Sequence, residues 1–250
     1  MGKITKMNYT AVICAAGQGK RLGESTDTLP KTLVKVGGKA ILEHLLSTLS
    51  SCGLKNVLIV VGYKGQDIEL AIGNSYKDCA INYIYNNDFE TTDNFYSLFL
   101  TREKITGPMI FFNADIIFSK DILRQIITDG NDNSLAVASV NSPGAGKNPV
   151  RIQSNGRDNL IAIGHDIGED KKQMVFGIYK LSTSTTKEYF KLAKEYFKDG
   201  PRKGGFWWPI QQMAPVVPFH ALKVSNQKWI SINTMEEYKN AERLVRNILD

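Results

Sequence analysis

The residues best suited to chemistry lie early in the chain, in Ala15-Ala16-Gly17-Gln18-Gly19-Lys20-Arg21 and, beyond it, Pro30-Lys31. Glycines at 17 and 19 let backbone N–H groups come close to an anion, and a helix N-terminus after them would add a favourable dipole. Lys20, Arg21 and Lys31 supply positive charge, and a planar guanidinium can hold two oxygens at once. The chemistry this set suits is phosphate binding. A second group, Asn113-Ala114-Asp115, ends an apolar run and offers a carboxylate, a hard ligand suited to a divalent cation. Two familiar phosphate loops are excluded. A P-loop needs Ser or Thr after Gly-Lys and a glycine five residues before the second one; here Arg21 and Cys14 stand there. The dinucleotide fingerprint needs a third glycine where Leu22 sits and an acid ending the second strand, which instead runs into Gly62-Tyr63.

Alternating strands and helices must position these groups. Apolar runs predict strands at Tyr9–Cys14, Val57–Val61, Ile81–Tyr85, Met109–Phe112 and Leu135–Val140. Helical spacing predicts helices over Leu42–Cys52, Asn94–Lys104 and Lys120–Thr128, with Ser119 as an N-cap. Such alternation implies a mostly parallel sheet with right-handed crossovers. Ligands then bind beyond the carboxyl ends of the strands. The glycine loop follows the first strand and Asp115 the fourth, so both can share one rim. Further on, Asn155-Gly156 marks a turn between short strands over Val150–Ile163. Met174–Leu181, Ala221–Val224 and Trp229–Ile232 read as strands, and Thr183–Phe197 and Thr234–Leu249 as helices.

Composition narrows the class. The 250 residues are 42% hydrophobic and 22% charged, which suggests neither disorder nor a membrane protein. No apolar run approaches the roughly 20 residues that cross a bilayer. Met1-Gly2-Lys3-Ile4-Thr5-Lys6 lacks the apolar stretch of a secretory signal. Cys14, Cys52 and Cys79 have no metal spacing and read as reduced, mostly buried thiols. A cytoplasmic protein without membrane insertion is the expectation. The net charge of +6 comes from scattered lysines without interleaved aromatics, so a nucleic-acid partner is not expected. A positive field that attracts polyphosphate, or simply a solvated surface, accounts for it.

The complete stretch, small-small-Gly-x-Gly-x-Arg, eight residues and Pro30-Lys31, resembles the signature of the sugar-phosphate nucleotidyltransferase superfamily. The likeness continues through Leu33–Lys39, which looks like the strand after the lysine, and through Val60-Val61-Gly62-Tyr63. Tyr85-Asn86-Asn87 and Asp93-Asn94-Phe95-Tyr96-Ser97-Leu98 are similar to the small phosphocholine and aminoethylphosphonate cytidylyltransferases. The resemblance implies one nucleotidyltransferase domain over residues 1–250. Its fold would be α/β and Rossmann-like, a mostly parallel mixed sheet flanked by helices, with a small β-rich lid-like extension in the C-terminal half. It implies transfer of a nucleotidyl group, CMP from CTP, to a small phosphorylated or phosphonate acceptor, with release of pyrophosphate. Ala15 to Lys20 and Asn94 would cradle the nucleotide, and Tyr85 and Asn86 would meet the base. Arg21 would clamp the triphosphate; Lys31 would neutralise charge near the α-phosphoryl group or hold the incoming phosphate; Asp115 would hold Mg²⁺. A sugar-1-phosphate or inositol-phosphate transferase using CTP, UTP or dTTP, and a non-catalytic nucleotide-binding regulator, are the alternatives.

Two departures from that pattern stand out. In Trp229-Ile230-Ser231-Ile232-Asn233-Thr234, Asn233 occupies the position where the family has a second metal-binding acid. It can lend a neutral oxygen to the metal or cap the last helix. On the acceptor side, Trp207-Trp208 is followed by Pro209 where an acid suits a cationic head group. The tryptophans can wall a cation or pack in the core. Arg202 and Lys203 favour a more anionic acceptor, and His165 stands where relatives carry a phosphate-binding lysine.

Overall fold

A computed structural model describes residues 8–26, 28–146 and 148–249; the side chains of residues 24–26 and the basic start Met1–Lys6 lie outside the description. In chain order the elements are β1 (Thr10–Ala15), β2 (Lys35–Val36), β3 (Lys39–Ala40), α1 (Ile41–Ser51), β4 (Asn56–Val61), α2 (Gly65–Ile72), β5 (Ser75–Tyr76), β6 (Cys79–Tyr85), α3 (Asn94–Leu100), β7 (Met109–Asn113) and β8 (Ile116–Phe118). They continue as α4 (Lys120–Thr128), β9 (Ser134–Ser139), β10 (Val150–Ser154), β11 (Leu160–Gly164), β12 (Gln173–Leu181), α5 (Thr183–Tyr196), α6 (Trp208–Met213), β13 (His220–Lys223), β14 (Trp229–Ser231) and α7 (Met235–Leu249).

The central strands β7, β1, β4 and β6 are mutually parallel, the arrangement that the strand–helix alternation predicts. Their apolar runs are buried on both faces. In β4, Val57, Ile59 and Val61 join the core beneath α1 and α4, while Leu58 and Val60 join the core beneath α3 and α5. The β-rich extension of the C-terminal half is present and hydrogen-bonds into the same sheet. β12 runs antiparallel to β7, β9 and β10 add to β12, β11 adds to β10 and β13 to β9. A separate ribbon, β8 against β14, pairs Ile116 with Ser231. α7 packs on this ribbon and on the glycine-loop segment through Ala241, Val245 and Ile248.

Local chemistry explains where the observed elements differ from expectation. The glycine loop leads into a 3₁₀ segment, Lys20–Thr26, broken at Gly23 (φ 73°, ψ −153°), rather than into an α-helix, so little helix dipole faces the loop. Leu33–Lys39 is not a strand: Lys31–Leu33 forms a 3₁₀ turn, and Gly37 and Gly38, both left-handed, fold the rest into the β2–β3 hairpin. α3 stops at Leu100 and residues 101–104 are turns. Ser119 precedes α4 but its hydroxyl makes no cap bond. α2 escapes pattern reading because left-handed Lys64 leads it in without a side-chain cap. α6 hides behind Pro209, which is tolerated in the first turn of a helix. None of the described helices is long and apolar enough to cross a membrane.

Candidate active site

The rim at the carboxyl ends of β1 and β7 gathers the charged residues. The loop after β1 is pinned where Tyr63 N donates to Ala16 O at 3.0 Å. Gly19 adopts φ 70°, and a Cβ there would lie 2.7 Å from Lys31 Cβ. Glycine at 19 is therefore what lets the Lys31 stem cross the loop. At 17 an added Cβ would meet no protein atom, so that glycine leaves its backbone open to a ligand. Pro30 and the short 3₁₀ turn then aim Lys31 inward.

The β8–β14 ribbon brings the two metal-ligand candidates together. Ile232 N donates to Asp115 O at 2.9 Å, and Asn233 follows immediately. Lys31 Nζ donates to Asp115 Oδ2 at 2.8 Å and to Asn233 Oδ1 at 2.9 Å. Arg21 donates to the same Asn233 oxygen at 3.3 Å. The last helix has its own cap. Glu237 Oε2 accepts from Asn233 N and Thr234 N, and Glu237 N donates to Thr234 Oγ1, a reciprocal capping box. Thr234 thus fills the capping role, and the Asn233 side chain is turned to the cations.

A cavity of about 280 Å³ lies over this cluster. Ala15, Gly17, Gly19, Lys20, Arg21, Lys31, Asn94, Asp115 and Asn233 all line it. Three cations against one carboxylate give it a field suited to polyphosphate. Sequence reading missed Thr32 and Cys14 in its wall. Thr32 is buried and its hydroxyl has no partner among the described residues; its only signal was adjacency to Lys31. Cys14 donates to Asn94 O at 3.7 Å, and burial, with the Asp93 charge adding, pushes its thiol well above the usual range, so it is an unreactive wall. Cys52 and Cys79 are free as well.

Other expected residues go elsewhere. Asn86 is 1% exposed; its amide donates to Thr92 Oγ1 and Ser97 Oγ, each at 3.0 Å, and its oxygen accepts from Asp88 N. With both ends engaged it orders the 86–92 loop instead of facing a base. Tyr85 is exposed and donates to Glu69 Oε2 at 2.6 Å. Gln18 reaches across to Glu90 at 3.2 Å. Trp207 packs against Gly164 and edge-on to His165, whose Nδ1 lies 3.3 Å from Pro149 O; Trp208 packs on Tyr196. These three acceptor candidates line neither this cavity nor its neighbour. Packing is the role the structure gives the tryptophans.

The neighbouring cavity, about 190 Å³, shares Asp115 and Asn233 with the first. Asn113, Tyr179, Phe206, Trp229 and Ser231 are in its wall, none of them legible as acceptor residues beforehand; Phe206 merely precedes the tryptophan pair. Burial, with Asp115 nearby, holds the Tyr179 hydroxyl pKa well above its ordinary value, so it stays a proton donor. The segment carrying Phe206 is tied down where Gly204 N donates to Asp93 Oδ2 at 2.9 Å and Tyr189 Oη to Phe206 O at 2.8 Å. Asp93 also caps α3 through Phe95 N, so one carboxylate joins the Phe206 segment to the helix that starts with Asn94. Among the described residues no group of three acidic, His or Cys side chains forms a metal cluster. The Asp115–Asn233 oxygen pair, however, already converges on one cation, the Lys31 ammonium, and such an oxygen set fits Mg²⁺.

Comparison with known proteins agrees with this layout. The model of the MobA-like NTP transferase domain matches residues 11–179. CMP-5'-(3-aminopropyl)phosphonate synthase of Streptomyces rubellomurinus is 33% identical over 146 residues, 58% of this chain and 23% of that protein. Choline-phosphate cytidylyltransferase of Streptococcus pneumoniae is 30% identical over 118 residues, 47% of this chain and 49% of that protein. The matched stretch thus spans less than half of each relative. The solved CTP:phosphocholine cytidylyltransferase from Streptococcus pneumoniae shares the fold, with a TM-score of 0.81 at 19% identity, covering 96% of this chain and 100% of its own. The matched range contains the glycine loop, Lys31 and Asp115, and the chain belongs to the MobA-like NTP transferase family.

Proposed function

We propose that the chain is a cytidylyltransferase that moves CMP from CTP to a small phosphorylated or phosphonate acceptor. The observation that carries this reading is the convergence of Lys31, Arg21, Asp115 and Asn233 beside the Gly17–Gly19 loop, with a second cavity opening from the same pair of oxygens. The loop backbone and Lys20 receive the β- and γ-phosphates. Arg21 clamps them, and Lys31 neutralises charge that grows around the α-phosphoryl group. An oxygen of the acceptor's phosphate or phosphonate attacks the α-phosphorus from the second cavity. The new P–O bond forms as the bond between the α-phosphorus and the bridging oxygen breaks, and pyrophosphate leaves with the electron pair. Such transfers depend on alignment and charge neutralisation more than on covalent catalysis. Asp115 and Asn233 would hold Mg²⁺, which supplies charge neutralisation on the triphosphate when bound. Because Asn233 brings no charge, much of that coordination falls to the nucleotide itself. Similarity to a CMP-5'-(3-aminopropyl)phosphonate synthase and to a choline-phosphate cytidylyltransferase supports cytosine as the base.

Incubation with each NTP, Mg²⁺ and a set of small phosphorylated alcohols and amines, followed by pyrophosphate release, tests this. Release with CTP above UTP and dTTP supports it. Release only with another NTP would move the base assignment, and tight NTP binding without any release would favour a regulator.

A further inference from the structure

We infer that the acceptor, on the transferase reading above, has an uncharged, oxygen-bearing remainder rather than a cationic head group. The reasoning starts from unmet donors. Tyr179 Oη and Trp229 Nε1 are both buried and have no hydrogen-bond partner among the described residues, and both residues belong to the wall of the 190 Å³ cavity beside Asp115. A buried donor left unpaired destabilises a fold, so two in one cavity wall point to a ligand that supplies the missing acceptors. Ser231 adds a third. Its oxygen accepts from Asn233 Nδ2 at 2.8 Å, which leaves its own proton free to donate. The indole N–H can only donate, and burial keeps the Tyr179 hydroxyl protonated.

The charges in the wall agree. Asp115 is the one carboxylate among the described residues lining this cavity, and it is held by Lys31 at 2.8 Å. An ammonium would find no free counter-ion there. The aromatic faces are also largely taken: Trp229 stacks on Phe176 at 4.3 Å, and Tyr179 lies between Phe111 at 5.4 Å and Phe206 at 4.9 Å. Little open π-face remains for a cation. The half-buried Phe206 ring lies against Tyr179 in the same wall, so an acceptor that reaches the hydroxyl has to displace it. The acceptor phosphonate or phosphate then sits toward Asp115 and Lys31, and its hydroxyl oxygen meets Tyr179, Trp229 or Ser231.

The matched pair 2-hydroxyethylphosphonate and 2-aminoethylphosphonate tests this, since they differ only in OH against NH₃⁺. With CTP and Mg²⁺, the hydroxyl compound should release pyrophosphate with kcat/KM higher by about tenfold or more. Tyr179→Phe should erase most of that preference and leave the KM for CTP unchanged. Its melting temperature should hold or rise, because the variant removes an unmet buried donor. An equal rate or a preference for the amine overturns the inference while the transferase reading stands. A Tyr179→Phe protein that keeps the preference overturns the role given to that hydroxyl. If CTP binds but neither compound nor any other phosphorylated acceptor releases pyrophosphate, the transferase reading itself fails.

Discussion

Lys31 holds its ammonium 2.8 Å from Oδ2 of Asp115, across 84 residues of sequence, with the two side chains 13% and 21% exposed. Asp115 lines both cavities, as does Asn233, while Lys31 lines the first. On the proposed reaction, this ammonium would stabilise charge on the phosphoryl group in transfer.

Lys31→Ala should therefore lower kcat by about 10²-fold or more, the usual cost of losing one preorganised charge-stabilising group. The side chain is partly exposed and the fold's core lies elsewhere, so the melting temperature should change little. Steady-state rates alongside thermal unfolding check both halves. A folded variant with wild-type turnover removes Lys31 from the mechanism.

Asn233 shares its oxygen with Lys31 and Arg21, at 2.9 and 3.3 Å, and the cap of α7 belongs to Thr234 and Glu237. Asn233→Asp adds a charge beside Asp115 without disturbing the cap. It should move the Mg²⁺ titration of activity to lower concentration, since a second carboxylate strengthens a hard-cation site. An unchanged titration curve would sink the metal role of this position.

Gly19 is left-handed, and a Cβ there would lie 2.7 Å from Lys31 Cβ. Gly19→Ala should cost about 1–2 kcal/mol of stability from the backbone conformation alone. It should also displace Lys31, so activity falls further than unfolding explains. Gly17→Ala, where an added Cβ touches no protein atom, should leave stability nearly intact and weaken NTP binding instead. Equal effects of the two substitutions on both readouts would contradict the separate roles given to these glycines.

Much of this arrangement is legible in the chain itself, for reasons that differ by residue. The parallel core is readable because Val57–Val61 and Met109–Phe112 are buried on both faces and so must be apolar throughout. The first cavity is readable because glycine and cation positions crowd into one loop. The role of Asn233 is not, since its choice between capping and facing Lys31 depends on Thr234 and Glu237 closing the box first. Asn86 misleads because a polar residue at a strand end looks free to bind, while Thr92 and Ser97 take its amide. The second cavity is least readable. Tyr179 and Trp229 come from strands that meet Asp115 only through antiparallel pairing across the sheet and the ribbon, and their apolar surroundings disguise them as core.

The bond that breaks is the most direct test of the account. CTP labelled at the α-phosphorus, incubated with the protein, Mg²⁺ and 2-hydroxyethylphosphonate, should place the label in a CMP-linked product, with unlabelled pyrophosphate released in equal amount. Label left in CDP, with orthophosphate as the released product, would show cleavage at the γ-phosphate and contradict nucleotidyl transfer.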